Sequence, residues 1–255
     1  MLPLMRILNN WILNITKCIY PPTCIVCSAF INNYNQICKD CIASFEFPKG
    51  FLCSNCCNNL DANNYKPEFG NTCIFCANNP PYFSKLACAL SYNNAAAKLI
   101  STFKYKDKQE LAKLFAELLT YSYIGSNFNE VDIIVPMPIS YLKLLNRKYN
   151  QVALITKHLS KSIRVPYNAD ILYKRKHTKA QASLDLTKRL TNVKGSFALR
   201  SKKSALIKNK TILLIDDIVT TGSTINEASK MLKNAGAKRV YVLAIARVKG
   251  EFKIY

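Results

Sequence analysis

Apolar and polar residues alternate in two rhythms along the second half of the chain, and these rhythms predict helices and strands in turn. Apolar residues spaced three and four apart are typical of amphipathic helices, whereas short uninterrupted apolar runs are typical of buried strands. The predicted order is helix 108–123, strand 131–135, helix 150–163, strand 211–215, helix 224–234 and strand 239–248. This alternation favours an α/β fold, with a parallel sheet and helices on both of its faces.

The beginning of the chain forms a separate segment. Residues 1–20 predict an amphipathic helix, because apolar residues follow one another at helical spacing as far as Ile15. A helix folded back onto the protein and a helix on a membrane surface both fit this pattern, but the lysine-rich polar face usual for the second is lacking. No stretch reaches the roughly 18–20 uninterrupted apolar residues of a membrane span. With no cleavage site of small residues either, we expect a cytoplasmic protein without an integral membrane segment.

All 11 cysteines lie before residue 89, and eight of them form four C-x-x-C pairs. Two thiolates at this spacing point at one position in space, and two such pairs complete the tetrahedral sulfur shell that suits zinc. The pairs are Cys24/Cys27, Cys38/Cys41, Cys53/Cys56 and Cys73/Cys76. They predict a double zinc ribbon over residues 21–90 that holds two structural Zn²⁺ ions.

The spacing allows the four pairs to combine in sequential or in interleaved order. Sequential order is favoured because closing short loops costs less entropy. Disulfides are the alternative to zinc, but they require an oxidising compartment. Three cysteines remain, Cys18, Cys57 and Cys88. We expect them to be buried thiols, although Cys57 is also able to replace Cys56 as a zinc ligand.

The strongest chemical signal follows the apolar run 211–215. Asp216 and Asp217 are expected just past the end of this strand, before a turn of hydroxylated residues that opens the next helix. Gly222 lets the backbone approach a phosphate closely, and the unpaired amides of a helix start point at the anion. Two carboxylates in this place are explained if they accept hydrogen bonds from ribose hydroxyls or hold Mg²⁺ indirectly. The predicted site for a ribose 5-phosphate consists of Asp216, Asp217, Thr220, Thr221, Gly222, Ser223 and Thr224.

This segment resembles the phosphoribosyl pyrophosphate motif of type I phosphoribosyltransferases. From about Cys24 to Arg247, the chain resembles the ComF family, competence-associated proteins with a zinc ribbon and a phosphoribosyltransferase-like domain. The other marks of the resemblance are Phe103-Lys104-Tyr105, Val135-Pro136-Met137-Pro138, Arg147-Lys148-Tyr149-Asn150-Gln151, Thr178-Lys179-Ala180-Gln181 and Arg189-Leu190-Thr191-Asn192-Val193. Lys148 stands where the family usually has glycine. The resemblance implies a phosphoribosyltransferase-like domain over residues 95–255.

The resemblance also implies roles for individual residues. Phosphoribosyl pyrophosphate would bind together with Mg²⁺. The residues expected to act in catalysis are Asp216, Asp217 and Arg147, and those expected at the pyrophosphate are Pro136, Met137, Lys148 and Lys176. The pyrophosphate loop is expected to use backbone amides, although its two prolines remove donors. Lys176 belongs to a basic segment that, in the resembling enzymes, closes over the ligand.

The charge of the chain leaves two functions open. The net charge is +21, and residues 98–255 hold 30 Lys and Arg against 11 Asp and Glu. Such a surface attracts nucleotides, phosphorylated sugars or a nucleic-acid backbone, although a sequence rich in Lys, Asn, Ile and Tyr owes part of its lysine to composition. One hypothesis is a phosphoribosyltransferase-like protein, with transfer itself left open because no acceptor pocket is identifiable. The other is a non-enzymatic factor that handles single-stranded DNA with DNA-uptake or helicase partner proteins, and whose sugar-phosphate site is vestigial or sensory.

Overall fold

The computed structural model describes residues 19–34, 36–105, 108–175 and 195–250. The chain divides into two compact units, residues 1–45 and 46–255. The predicted helix over residues 1–20 falls almost wholly outside the described residues, and so do Cys18 and Lys176. Among the helices within the described ranges, none has both the length and the apolar content needed to cross a membrane.

The first unit is small and is organised around cysteines. An isolated bridge between Thr23 and Phe30 closes a hairpin whose tip carries the first C-x-x-C pair. One short helix, α1 (Lys39–Ala43), follows, and the sulfur of Cys38 caps its start by accepting a hydrogen bond from the Cys41 amide. The unit has few buried apolar side chains, as expected of a fold that depends on a metal.

The second unit is built on a four-stranded parallel sheet with the order β1-β6-β5-β2. Its strands are β1 (Lys85–Ser91), β2 (Ile133–Pro136), β5 (Thr211–Val219) and β6 (Arg239–Arg247); β3 (Leu172–Lys174) and β4 (Phe197–Leu199) form a separate antiparallel pair. The helices are α2 (Ile74–Asn78), α3 (Asn94–Tyr105), α4 (Leu111–Gly125), α5 (Tyr141–Arg147), α6 (Gln151–Ile163) and α7 (Ser223–Asn234), with 3-10 turns at Pro67–Phe69 and Ser201–Leu206. The predicted α/β fold of the type I phosphoribosyltransferase kind is confirmed.

Several elements were not predicted from the sequence, namely α1, α2, α3, α5, β1, β3 and β4. Strand β1 is an apolar run directly behind the cysteine pairs, and α3 begins with a row of alanines that gives a weak amphipathic pattern. A further difference concerns β5, which continues four residues beyond the predicted end, because its pairing with β6 extends to Val219 opposite Arg247. Asp216 and Asp217 therefore lie within the strand and not past its end.

The core of the second unit lies on both sides of the sheet. On one face, Ile212 and Leu214 of β5 pack in one cluster with Ile225 and Leu232 of α7. The same cluster includes the last two C-x-x-C pairs, Cys53/Cys56 and Cys73/Cys76. Side chains alternate along a strand, so Leu213 and Ile215 face the other way. There the long helices α4 and α6 pack against each other and against the sheet. All four strands are parallel, so their carboxyl ends share one edge, where α/β proteins bind ligands.

Candidate functional site

The turn between β5 and α7, residues 220–224, opens at the carboxyl edge of the sheet. Gly222 precedes the helix with φ +82°, a left-handed conformation that residues with a Cβ rarely adopt. The amide of Asn226 donates the first helical hydrogen bond, at 2.9 Å to the Gly222 carbonyl, so the amides before it are not part of the helical ladder. The hydroxyls of Thr221 and Ser223 lie 3.0 Å apart at the same place. This β5–α7 turn thus has hydroxyls and helix-start amides, which are groups of the kind that bind a phosphate in other proteins.

The two carboxylates differ in their surroundings. Asp217 forms an ion pair with the ammonium group of Lys104, and both side chains are largely buried, with 21% and 17% exposed. Burial and the neighbouring charge of Asp217 raise the pKa of Asp216 to about 7, although the cations Lys104 and Lys143 act in the opposite direction. A carboxyl with such a pKa changes its charge near neutral pH when a ligand or a cation approaches.

A pocket of about 390 Å³ adjoins the acids through Lys104, which lines it. Among the described residues, its lining contains four cations, two tyrosines and no carboxylate. The residues are Lys104, Tyr105, Lys143, Asn146, Arg147, Lys148, Tyr149 and Gln151. A concave surface with charge of one sign concentrates ligands of the opposite sign, so this basic pocket favours an anion.

The segment Arg147-Lys148-Tyr149-Asn150-Gln151 joins α5 to α6, and the structure explains several of its residues. The guanidinium of Arg147 lies 5.2 Å from the ring centre of Tyr105 and donates to the Gln151 side chain at 3.4 Å. Asn150 caps α6 by accepting hydrogen bonds from two backbone amides. Lys148 ends α5 with φ +64°, in the left-handed region where glycine is favoured. That conformation accounts for the glycine that the family usually has here.

The loop after β2 offers less to a pyrophosphate than the sequence predicted. The amide of Met137 donates to the Ile215 carbonyl at 2.8 Å, and its own carbonyl accepts from the Asn150 side chain at 3.1 Å. Pro136 and Pro138 have no amide hydrogen. Residues 136–138 thus brace β2 against β5 and α6, and their backbone donors are either absent or engaged.

The structure adds residues that sequence reasoning missed as site residues. Lys104 of α3 pairs with Asp217, whereas Lys143 of α5 and Lys174 of β3 interact with Asp216 through their charge. Burial lowers the pKa of Lys174, the nearby charge of Lys143 lowers it further, and Asp216 raises it. Only Lys104 had a signal in the sequence, through its place in the Phe103-Lys104-Tyr105 mark. Lys176, the remaining residue expected at the pyrophosphate, lies outside the described residues.

The cysteines form two sets of four, combined in sequential order. Within each set the four sulfurs lie within 4.8 Å of one another. The first cluster consists of Cys24, Cys27, Cys38 and Cys41. The second cluster consists of Cys53, Cys56, Cys73 and Cys76. In both, a backbone amide donates to a sulfur at 3.3 Å, from Cys38 to Cys24 and from Cys73 to Cys53. Such bonds stabilise thiolates, and the all-sulfur donor sets fit structural zinc.

The two sets differ in burial. In the first set, burial raises the pKa of Cys24, but amide donors from Cys38, Cys27 and Val26 lower it to about 6. In the second set all four cysteines are buried within the core of the sheet unit. Cys57, the alternative ligand, lies elsewhere, with its sulfur 3.6 Å from that of Cys88.

Comparison with known proteins agrees with both halves of this description. Residues 15–77 match the double zinc ribbon domain and residues 153–253 match the phosphoribosyl transferase domain. Competence protein ComFC of Streptococcus pneumoniae is 31% identical over 222 residues, which cover 85% of this chain and 90% of the relative. Competence protein F of Haemophilus influenzae is 28% identical over 228 residues, which cover 85% of this chain and 99% of the relative. The DNA utilization protein YhgH of Escherichia coli is 26% identical over 179 residues, which cover 69% of this chain and 77% of the relative.

Solved structures align with about half of the chain at low scores. A glutamine phosphoribosylpyrophosphate amidotransferase from B. subtilis aligns with a TM-score of 0.37 and 17% identity, covering 53% of this chain and 26% of that one. A hypoxanthine phosphoribosyltransferase from Staphylococcus aureus aligns with a TM-score of 0.32 and 18% identity, covering 56% and 64%. This chain thus spans less than two thirds of either structure, and similarities of this size carry no argument about function.

Fold, cysteine clusters and family matches define a class: a double zinc ribbon joined to a phosphoribosyltransferase-like domain. Within that class, the identity and coverage of the relatives are decisive. The chain belongs to the ComF family.

Proposed function

We propose that this protein binds phosphoribosyl pyrophosphate at the carboxyl edge of the sheet and acts in DNA uptake during competence. The observation that carries the ligand is the β5–α7 turn, in which a left-handed Gly222 and clustered hydroxyls precede a helix start, directly behind two acids. The process is supported by the relatives, whose names refer to competence and to DNA utilization. The site of action would be the cytoplasm, where such a ligand is found.

Each part of the ligand has a matching group in this arrangement. Thr220, Thr221 and the amides around Gly222 hold the 5-phosphate, with Ser223 and Thr224 at the helix start. Asp216 and Asp217 accept hydrogen bonds from the ribose hydroxyls. The basic pocket takes the pyrophosphate, with Arg147 and Lys148 as its charges, and Lys176, which lies outside the described residues, is assigned to the same end of the ligand. Pro136 and Met137 shape this end of the site through the packing of their loop.

The acids also fit Mg²⁺, because two adjacent carboxylates are oxygen ligands of the kind that this ion prefers. Asp216 and Asp217 would hold it, directly or through water, and the ion would supply positive charge to the pyrophosphate. If transfer occurs, Arg147 stabilises the charge of the leaving group. Binding energy from the 5-phosphate positions the ribose for that step.

Isothermal titration with phosphoribosyl pyrophosphate and Mg²⁺ tests the site. Wild type should bind, whereas a double variant Asp216→Asn/Asp217→Asn should bind at least about tenfold more weakly, since it loses hydrogen bonds to charged acceptors. A matched control is Asp170→Asn, because Asp170 is an exposed carboxylate outside the site. Equal binding by wild type and the double variant would refute the assignment. A screen of bases and amines for release of pyrophosphate then decides whether transfer occurs.

A second candidate function, binding of single-stranded DNA, is favoured by one specific observation. The basic pocket combines four cations with Tyr105 and Tyr149, and cations with aromatic rings are what single-stranded nucleic acid binds. DNA-uptake or helicase proteins would then be the partners. Affinity for single-stranded DNA measured over a series of salt concentrations tests this function, because contacts to phosphates make the affinity fall steeply with salt. A flat dependence would contradict it.

A further inference from the structure

Arg247 is the last residue of β6 and lies beside the β5–α7 turn. Only 3% of its surface is exposed, and in the sheet it stands opposite Val219, where β5 ends. Burying a guanidinium is costly unless its donors are satisfied. Its hydrogen bonds therefore identify what the side chain holds in place.

The guanidinium donates to backbone carbonyls on two sides. On one side, Nη1 donates to the carbonyls of Val219, at 3.4 Å, and of Thr220. On the other side, Nε donates to the carbonyl of Cys56 at 3.3 Å. Nη1 also donates to the carbonyl of Val248 at 2.7 Å, which holds the residue that follows β6. The side chain thus joins a cysteine of the second cluster to the first residue of the turn.

This connection is stiff. The guanidinium is planar, and its donors keep fixed directions, so a movement of one acceptor strains the bonds to the others. Cys56 is held in turn by its cluster, with its sulfur 3.7 Å from that of Cys73. Cys53 and Cys56 also belong to the apolar core that reaches α7. The turn is therefore positioned from two sides, by its own helix and by the cysteine cluster.

We infer that Arg247 is a positioning residue that couples the second cysteine cluster to the β5–α7 turn, so that the metal state of this cluster and the affinity of the turn for a phosphorylated ribose depend on each other. The inference rests on the proposed function, because the turn must bind such a ligand for the coupling to appear. Coupling between two binding sites is reciprocal, so each side can be measured from the other.

The test uses the full chain, loaded with cadmium in place of zinc, and ribose 5-phosphate as the probe. Cadmium NMR should give one set of signals for each cluster, assigned with a substitution in the first cluster. On addition of ribose 5-phosphate, the signal of the second cluster should shift, whereas that of the first cluster serves as the internal reference. A purely structural role for Arg247 predicts no such response.

Substitutions separate the possible outcomes. Arg247→Met should weaken binding of ribose 5-phosphate by roughly tenfold, within the usual range of coupling between sites, and should abolish the shift of the second cluster. Arg247→Lys keeps the charge but not the planar set of donors, and it should restore only part of both. The matched control is Arg239→Met, which removes an arginine from the opposite end of the same strand.

Two results would overturn the inference. One is unchanged affinity in a folded Arg247→Met variant, as judged by circular dichroism and retained cadmium. The other is a second-cluster signal that stays in place while wild type becomes saturated with ribose 5-phosphate. If wild type does not bind ribose 5-phosphate at all, the proposed site itself is refuted, and titration alone shows that outcome.

Discussion

Replacing Lys104 by methionine distinguishes the binding of the pyrophosphate end of the proposed ligand from the binding of its ribose 5-phosphate end. Methionine keeps most of the length and apolar contact of lysine but removes its charge. Lys104 pairs with Asp217 and also lines the basic pocket, which holds four cations. The variant should therefore lose affinity for phosphoribosyl pyrophosphate, which reaches into the pocket, and keep its affinity for ribose 5-phosphate, which does not.

The size of the effect follows from the position of the charge. The side chain of Lys104 is 17% exposed, so its charge is only partly screened by water. At an effective dielectric constant of roughly 20–40, one unit charge about 6 Å from a pyrophosphate charge contributes about 1.4–2.8 kcal/mol. That corresponds to a roughly 10–100-fold weaker affinity. Loss of the partner of Asp217 should at the same time raise the pKa of Asp216 further, because Lys104 now lowers it.

The assay is isothermal titration of both ligands with Mg²⁺, on wild type, Lys104→Met and Lys113→Met. Lys113 is an exposed lysine of α4 outside the pocket, so its variant controls for the loss of net charge. Equal losses for the two ligands would refute the reasoning, since Lys104 would then act on the ribose phosphate end. So would an unchanged affinity for phosphoribosyl pyrophosphate.

Three further predictions concern pH, the turn and the metal. A pKa of about 7 for Asp216 means that the folded protein holds this proton more tightly than the unfolded chain, so stability from this group falls as pH rises from about 4 through 7. Asp216→Asn should therefore raise the free energy of unfolding by about 1–2 kcal/mol at roughly pH 8, a value discounted for the residual contact of Asp216 with water, but not at roughly pH 4. Urea unfolding at the two pH values measures the difference, and equal gains at both would contradict the assignment. Gly222→Ala forces a Cβ into a conformation with φ +82° and should cost about 1 kcal/mol of stability as well as ligand affinity, whereas Ala235→Gly, past the end of α7, should leave the affinity unchanged. Metal analysis should find two Zn²⁺ per chain. Cys73→Ser should lower the melting temperature of the sheet unit and Cys27→Ser should not, because only the second cluster lies in the core of that unit. Equal effects of the two substitutions would refute this difference.

Features written in neighbouring residues were determined by the sequence. Paired cysteines fix two ligands of one metal whatever the rest of the chain does, because a tight turn holds both sulfurs. The apolar run before Asp216 and the glycine after Thr221 likewise specify a strand, a turn and a helix start in order. With the flanking motifs, their local chemistry was enough to predict the family, whereas the kind of ligand stays a prediction.

Features that need distant residues to meet were decided by the tertiary structure alone. Lys104 reaches Asp217 because α3 ends at the carboxyl edge of the sheet, and no local pattern specifies that meeting. Pairing with β6 carries β5 on to Val219, so the two acids belong to a strand and not to a loop. In the sequence Arg247 is an ordinary residue at the end of a predicted strand. Only the fold brings the carbonyls of Cys56 and Thr220 within hydrogen-bonding distance of its guanidinium. Hydrophobic patterning sets which face of each element is buried, but only the packing of elements far apart in sequence decides which charges share the site.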